Sequence, residues 1–215
     1  MRLIATAARG LALADGTGRV FDPVARCWTA AAAAAGGTEV SDERALAWLQ
    51  RESGHPFRPP IAVVGPREAS AAQVATARQV GELLGGTGFV VLCGGRQGVM
   101  EAVCAGVAAA GGISVGLLPD EHWDAANRFV TIPIATGIGV ARNAIIARAA
   151  GCLVAIGGGY GTHSEMAFAL QFGRPVLALL DAPDIAGAMR VAGLEALAAA
   201  LLRAVTGLPP ADVTR

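Results

Sequence analysis

The fold of this chain is decided by residues 155–165, which read Ala-Ile-Gly-Gly-Gly-Tyr-Gly-Thr-His-Ser-Glu. The apolar run 152–156 predicts a buried strand, and apolar residues at helical spacing predict a helix over residues 162–172. Glycines let a backbone approach a ligand closely, and the first N–H groups of a helix are unpaired and carry the positive end of its dipole. The stretch therefore predicts a phosphate bound at the start of the helix, where Thr162 adds a hydroxyl.

Glu165 has two possible roles in this stretch. Its carboxylate would repel a phosphate placed directly on it, which favours contact with a neutral polar part of the same ligand. Alternatively, Glu165 closes a Thr-x-x-Glu capping box with Thr162 at the start of the helix. The stretch alone supports both roles equally.

The composition excludes several classes of protein. No apolar run reaches the roughly 18 residues of a membrane span, and the first residues lack a signal-peptide pattern, so we expect a cytoplasmic protein without a membrane partner. Lys plus Arg and Asp plus Glu are 17 each, which argues against nucleic acid as a main partner. The four cysteines form no CxxC pair and the three histidines are scattered, so we expect no metal site and propose no cofactor.

Apolar strands alternate with helices from Ile61 onward, and this order predicts a Rossmann-like, doubly wound parallel α/β sheet over residues 59–215. Residues 1–58 differ from the rest and predict an arm of unknown role. In this arm we expect a hairpin that pairs residues 3–13 with 19–21, and a helix over Glu43–Glu52. Residues 30–35 suit either a short helix or a flexible alanine tract, and residues 185–205 predict the closing helix.

Glycine turns follow three of the predicted strands, after Val64, Cys93 and Ile156. Ligands of such sheets bind beyond the carboxyl ends of the strands, at the topological switch point. The dinucleotide and P-loop glycine patterns are both absent, which leaves a ligand about the size of a mononucleotide. The candidate phosphate- or ligand-binding residues are Gly65, Gly94, Gly95, Gly98, Asn143, Gly158, Gly159, Tyr160, Gly161 and Thr162.

Residues 157–165 resemble the Pro-Gly-Gly-x-Gly-Thr-x-x-Glu signature of the LOG family, with Gly157 in place of the proline. Residues 94–100, Gly-Gly-Arg-Gln-Gly-Val-Met, are similar to the other glycine turn of that family, and the resemblance spans about 61–180. It implies hydrolysis of the N-glycosidic bond of a nucleoside 5′-monophosphate to free base and ribose 5-phosphate. It also implies Arg142 and Glu165 as the catalytic residues.

Residues 139–143 read Gly-Val-Ala-Arg-Asn, where the family usually has Met-His-x-Arg-Lys. This form is similar to a subgroup that includes molybdenum cofactor carrier proteins, which bind a phosphorylated pterin without needing to cleave it. We therefore expect a nucleotide-binding hydrolase, with a non-catalytic carrier or a nucleotide sensor as the alternatives. Whether the protein is an enzyme stays open.

The chemistry of glycosidic cleavage gives the two residues distinct tasks. Glu165 would stabilise the positive charge that develops on the ribose, and Arg142 would hold a phosphate or ribose oxygen. The alternative for Arg142 is a salt bridge to Glu165 that only joins two helices. High apolar content and alanine-faced helices predict a homodimer or higher homo-oligomer.

Overall fold

The computed structural model describes residues 1–6, 10–30 and 37–209, and its contacts group the chain into two units. One unit is Pro59–Leu197, and the other combines Met1–Arg58 with the residues from Ala198 onward. The domain boundary expected between residues 58 and 59 stays a prediction. The residues after Leu197, which we expected to continue the second domain, group instead with the N-terminal segment.

The N-terminal segment forms an antiparallel sheet in the order β4-β3-β2-β1-β5. Its strands are β1 (Arg2–Thr6), β2 (Gly10–Ala14), β3 (Arg19–Asp22), β4 (Cys27–Ala30) and β5 (Thr38–Glu39). The expected hairpin around residues 15–18 joins β2 to β3.

Residues 3–13, expected as one hairpin arm, instead divide into two strands. β1 pairs back on β2 so that Leu3 faces Leu13. Leu3 and Ile4 of β1 are buried, and Leu13 of β2 is fully buried. Of residues 30–35, Ala30 ends β4 and the others lie outside the described residues.

Helix α1 (Asp42–Arg51) occupies the expected place in the N-terminal segment. Ser41 caps it by accepting a hydrogen bond from the backbone N–H of Arg44, at 3.1 Å. The helix buries Leu46, Trp48 and Leu49 in the core of this unit.

The second unit is built on a seven-stranded sheet in the order β12-β11-β10-β6-β7-β8-β9, and every neighbouring pair is parallel. Its elements, in chain order, are β6 (Ile61–Val64), α2 (Ala71–Thr87), β7 (Val91–Cys93), α3 (Val99–Ala109), β8 (Ser114–Leu118), β9 (Ile132–Ala135), α4 (Arg142–Ala149), β10 (Cys152–Ile156), α5 (Tyr160–Gln171), β11 (Val176–Leu179) and β12 (Met189–Arg190). Helix α6 (Leu194–Thr206) begins in this unit, and its residues from Ala198 onward group with the N-terminal segment. The expected Rossmann-like α/β fold is confirmed. No helix among the described residues is long and apolar enough to span a membrane.

The strand order reverses between β6 and β10, which are neighbours at the centre of the sheet. Every residue of both strands is buried, because helices cover both faces of a parallel sheet. From β6 the chain winds outward through β7, β8 and β9, and it then returns to the other side of β6 with β10. The carboxyl ends of β6 and β10 therefore flank the crevice where this kind of sheet binds ligands.

Glycines bring α2 and α3 into close contact on one face of this sheet. A Cβ atom on Gly81 would lie 2.2 Å from the carbonyl oxygen of Val103, and one on Gly106 would lie 2.0 Å from that of Arg78. The Gly85-Gly86 pair, expected to end α2, lies inside it, because Gly85 packs against Val107. The helix ends instead at Gly88, whose φ of 97° is left-handed.

Two other expected helices differ from the observed ones. The closing helix, expected over 185–205, begins at Leu194. Gly187 has a φ of 95°, which no right-handed helix accommodates, and Met189–Arg190 forms the edge strand β12. Ahead of α4, residues Gly139–Ala141 form a 3₁₀ turn rather than the first turn of the α-helix.

Candidate functional site

A cavity of about 330 Å³ lies at the carboxyl ends of β6 and β10. It occupies the switch point of the sheet, where the sequence predicts the ligand. The residues that line it come from the end of β6 and the residues after it, the second glycine turn, the first turn of α3, the 3₁₀ turn before α4, the start of α4, and the first two turns of α5 with its N-cap residue. They are Val64, Gly65, Pro66, Arg67, Gly94, Met100, Val140, Arg142, Asn143, Gly159, Gly161, Thr162 and Glu165.

Helix α5 begins at Tyr160, two residues before the expected start, and Gly159 is its N-cap residue. Gly159 offers no side chain as a cap, and the first hydrogen bond after the glycines runs from the His163 N–H to the Gly159 carbonyl, at 2.9 Å. The N–H groups of residues 160–162 therefore point beyond the helix end. With the dipole of the helix, they have the geometry that an anion site requires, and the predicted anion stays a prediction.

The capping-box role of Glu165 is wrong. Thr162 lies inside the first turn of α5 rather than at the N-cap, and Glu165 lies beyond that turn. The Thr162 side chain packs instead against the glycine turn, where a Cβ on Gly158 would lie 2.4 Å from it. Gly157 has a φ of 60°, which a proline ring excludes, so the departure from the family signature at this position follows from the shape of the turn.

Arg142 and Glu165 form an ion pair in the cavity, with 3.0 Å between Nη1 and Oε1. Arg142 is the first residue of α4, and both side chains are buried. Burial raises the pKa of Glu165 to about 7, although the positive charge of Arg142 and its hydrogen bond act in the opposite direction. The Nε atom of Arg142 is buried without a hydrogen-bond partner. Arg142 and Glu165, which the resemblance implies as catalytic residues, therefore also form the salt bridge that was the alternative role for Arg142.

Two further contacts position this ion pair. Gly94 leaves room for the guanidinium, because a Cβ atom there would lie 2.4 Å from Arg142 Nη2. The Asn143 amide donates to Ser164 Oγ at 3.1 Å, and that hydroxyl donates to the carbonyl of Gly161 at 2.7 Å. These hydrogen bonds join the start of α4 to the start of α5, so the two ends of the ion pair are fixed relative to each other.

Most of the residues predicted from the sequence line the cavity together: Gly65, Gly94, Arg142, Asn143, Gly159, Gly161, Thr162 and Glu165. Gly95 and Gly98, which we also predicted, lie outside the lining. The Gly95 N–H donates to Cys93 Sγ at 3.3 Å, and its carbonyl accepts from Asn127. Gly98 packs against the carbonyl of Arg67.

The remaining two predicted residues, Gly158 and Tyr160, also lie outside the lining. Gly158 has a φ of 137° and makes room for Thr162. Tyr160 is 97% exposed, so its side chain has little contact with the described part of the chain.

Sequence reasoning missed five residues of the lining: Val64, Pro66, Arg67, Met100 and Val140. A signal existed for the first three, because they flank Gly65 directly after a predicted strand. Met100 belongs to the second glycine turn but was assigned no role. Val140 carries no sequence signal, since only the 3₁₀ turn brings it to the cavity.

The described residues contain no cluster of three or more His, Cys, Asp or Glu side chains that could hold a metal ion. Cys93 and Cys104 lie buried beside the second glycine turn, with 3.5 Å between their sulfur atoms. Both are small buried side chains that pack the end of β7 against α3.

Sequence comparison places the chain in a family. The model of the SLOG cluster4 family matches residues 58–199, and the chain belongs to this family. An uncharacterised protein of Archaeoglobus fulgidus is 44% identical over 131 residues, which cover 61% of this chain and 85% of that protein. The resemblance to LOG-like proteins seen in the sequence is confirmed.

Two solved structures extend this comparison. The Moco carrier protein of Chlamydomonas reinhardtii is 33% identical, with a TM-score of 0.64, over 70% of this chain and 99% of that one. The molybdenum cofactor binding protein of the phototrophic bacterium Rippkaea orientalis is also 33% identical, with a TM-score of 0.56, over 70% of this chain and 86% of that one. The alternative subgroup named from residues 139–143 is thus represented among the similar structures.

Proposed function

We propose that this protein binds a phosphorylated pterin and acts as a carrier of the molybdenum cofactor. The observation that carries the proposal is the balance of charges in the cavity. An open helix N-terminus and two arginines, Arg67 and Arg142, favour an anion there, whereas Glu165 is the single carboxylate among the described lining residues.

The parts of the cavity suit the parts of such a ligand. The phosphate would lie on the N–H groups at the start of α5, beside the Thr162 hydroxyl. The apolar side chains of Val64, Met100 and Val140 would contact the ring system, as the apolar walls of ligand sites do. Arg142 and Asn143 would add hydrogen-bond donors, so binding needs no chemical step.

The similar structures support this proposal. The chain covers 99% of the Chlamydomonas Moco carrier protein and 86% of the Rippkaea molybdenum cofactor binding protein. The identity of 33% covers 70% of this chain, and the family model matches residues 58–199, so the N-terminal arm would not be needed for binding. The expected homo-oligomer and the absence of a nucleic-acid partner stay predictions.

Hydrolysis of a nucleoside 5′-monophosphate is the second candidate function. The observation in its favour is the Arg142–Glu165 pair, which lies in the cavity as the resemblance to LOG enzymes implies. Two features weaken it. Glycoside hydrolysis ordinarily uses two carboxyl groups, and here the single one is held by Arg142 with a pKa of about 7. The raised pKa makes the charged form of Glu165 less favourable, which weakens its stabilisation of a cationic transition state.

One experiment separates the two candidates. The protein is purified without oxygen and analysed for bound molybdenum and, after oxidation, for pterin fluorescence; a second sample is incubated with a panel of nucleoside 5′-monophosphates and analysed for free base. A carrier retains or binds molybdenum cofactor and leaves the nucleotides intact. Release of base, without any bound pterin or molybdenum, would reverse the order of the two candidates.

Glu165→Gln provides the check on the second candidate. If wild type releases base, this variant should release it about 10²–10³ times more slowly, because it keeps the shape of the side chain and loses the charge. Binding of the nucleotide would be retained. A variant as active as wild type would remove Glu165 from the mechanism.

A further inference from the structure

The side chain of Arg67 lines the cavity and has no partner within Pro59–Leu197. It follows Gly65-Pro66 at the end of β6, is exposed, and lines the cavity. Pro59–Leu197 is described throughout, and within it the Arg67 side chain makes no hydrogen bond, ion pair or ring contact. The other arginines of this unit each contact a carboxylate, a carbonyl oxygen or an aromatic ring: Arg78, Arg96, Arg128, Arg142, Arg148, Arg174 and Arg190.

The backbone that carries Arg67 is nevertheless held in place. The Val99 N–H donates to the carbonyl of Pro66 at 3.1 Å. Gly98 allows this approach, because a Cβ atom there would lie 2.2 Å from the carbonyl oxygen of Arg67. Gly98 does not line the cavity. It nevertheless fixes the position of Arg67, which does. A fixed backbone with an unpaired cationic side chain is suited to a ligand contact, because only the side chain loses freedom on binding.

The cavity already provides one anion site that Arg67 can complete. Helix α5 follows β10, the strand that lies beside β6. The start of this helix presents the N–H groups of residues 160–162. Arg142 contributes a buried Nε atom without a partner. The guanidinium of Arg142 forms an ion pair with Glu165, which offsets its charge. Arg67 is therefore the cavity arginine whose charge no carboxylate of Pro59–Leu197 offsets. A phosphate at the start of α5 has outer oxygens left to pair, and a guanidinium binds two of them at once.

We propose that Arg67 is the residue that selects a phosphorylated ligand over its dephosphorylated form. It pairs with the outer oxygens of a phosphate whose inner side lies on the N–H groups of α5. This rests on the proposed function, because it assumes that the cavity binds a phosphorylated ring compound.

The test uses two pairs of probes, 6-hydroxymethylpterin with its phosphate ester and adenosine with AMP. Affinities are measured by calorimetry for wild type, Arg67→Gln and the control Arg148→Gln. The control removes the same charge from an exposed arginine of α4 that lies outside the cavity lining. Because Arg67 is exposed, its replacement is expected to leave the fold intact.

Wild type should prefer the phosphorylated member of at least one pair. Arg67→Gln should lower the affinity for that member about 10- to 100-fold, the scale of hydrogen bonds to a charged group, and leave the unphosphorylated member unchanged. Arg148→Gln should behave as wild type.

Two outcomes would overturn the inference and leave the proposed function standing. In the first, Arg67→Gln keeps the preference of wild type for the phosphorylated probe. In the second, Arg67→Gln and Arg148→Gln lose this preference equally, which would show that only the net charge matters. If wild type binds no probe of either pair, the proposed function fails and the role of Arg67 fails with it.

Discussion

Arg142 and Glu165 are 3.0 Å apart in a buried ion pair, yet the pKa of Glu165 lies near 7. Burial of the carboxylate outweighs the attraction of the guanidinium. The charge of the cavity therefore changes within the neutral pH range, and both stability and ligand binding should depend on this change.

Replacing Glu165 by glutamine should change how stability depends on pH. The folded-state pKa of Glu165 lies above the ordinary value of 4.5, so its contribution to stability is complete below pH 4.5 and is lost as the pH rises through about 7. Urea unfolding of wild type should therefore lose about 1–3 kcal/mol more between pH 5 and pH 8 than that of Glu165→Gln. The control Glu121→Gln removes an exposed carboxylate and should follow wild type. Equal pH dependence in wild type and Glu165→Gln would contradict the raised pKa.

Gly161→Leu should block the cavity without disturbing the fold. Gly161 lies in the first turn of α5, lines the cavity, and has nothing within 4 Å of the position that a Cβ atom would take. We expect loss of measurable binding of a pterin phosphate or AMP, with a melting temperature within a few degrees of that of wild type.

The matched control for this variant is Gly86→Leu. Gly86 is an exposed helical glycine of α2, with equally open space around its Cβ position and no place in the cavity lining. It should bind as wild type does. If Gly161→Leu binds ligand normally, the ligand does not lie at the start of α5.

The contact between α2 and α3 gives a prediction on stability. Gly106→Ala adds a Cβ atom 2.0 Å from the carbonyl oxygen of Arg78, so the helices must separate. We expect a loss of about 1–3 kcal/mol in the free energy of unfolding, the usual cost of overpacking a close contact. Gly86→Ala, with open space around the new methyl group, should gain about 0.5–1 kcal/mol from helix propensity. Chemical denaturation measures both, and a stable Gly106→Ala would show that the helices can move apart at little cost.

The sequence predicted the sheet well because burial leaves a local signal. The uninterrupted apolar runs of β6 and β10 and the glycines after them gave both the central strands and the edge where the cavity lies. Glycines that serve packing gave a wrong prediction. Gly85 and Gly86 predicted a helix end, although Gly85 lies against Val107 where α2 and α3 are in contact. A single sequence cannot distinguish these two uses of glycine, because the partner is far away in the chain.

The site was predictable to the extent that its residues sit in glycine turns. Glu165 and Arg142 come from two different helices, and the resemblance to a known family, rather than spacing, brought them together. Arg67 lies directly after a predicted strand, which was a signal for its position, but the sequence does not show whether its side chain has a partner. Its role depends on two facts of the fold, namely that β6 lies beside β10 and that its side chain has no partner within Pro59–Leu197.

The raised pKa of Glu165 leads to a further prediction, on ligand binding. At pH 8 the carboxylate is charged and repels a phosphate bound at the start of α5, whereas at pH 5 it is protonated. Glu165→Gln should therefore bind a phosphorylated probe about 5- to 30-fold more tightly than wild type at pH 8 and equally well at pH 5, since two charges several ångströms apart near a protein surface interact by about 1–2 kcal/mol.

The charge of the probe itself also changes over this range, because the second pKa of a phosphate monoester is about 6. The ratio of the two affinities at each pH removes this effect, since both proteins bind the same probe. For the unphosphorylated probe, Glu165→Gln and wild type should have equal affinities at both pH values. Glu121→Gln should match wild type with every probe. If Glu165→Gln instead weakens binding at both pH values, Glu165 contacts the ligand directly and attractively, and the phosphate does not approach its carboxylate.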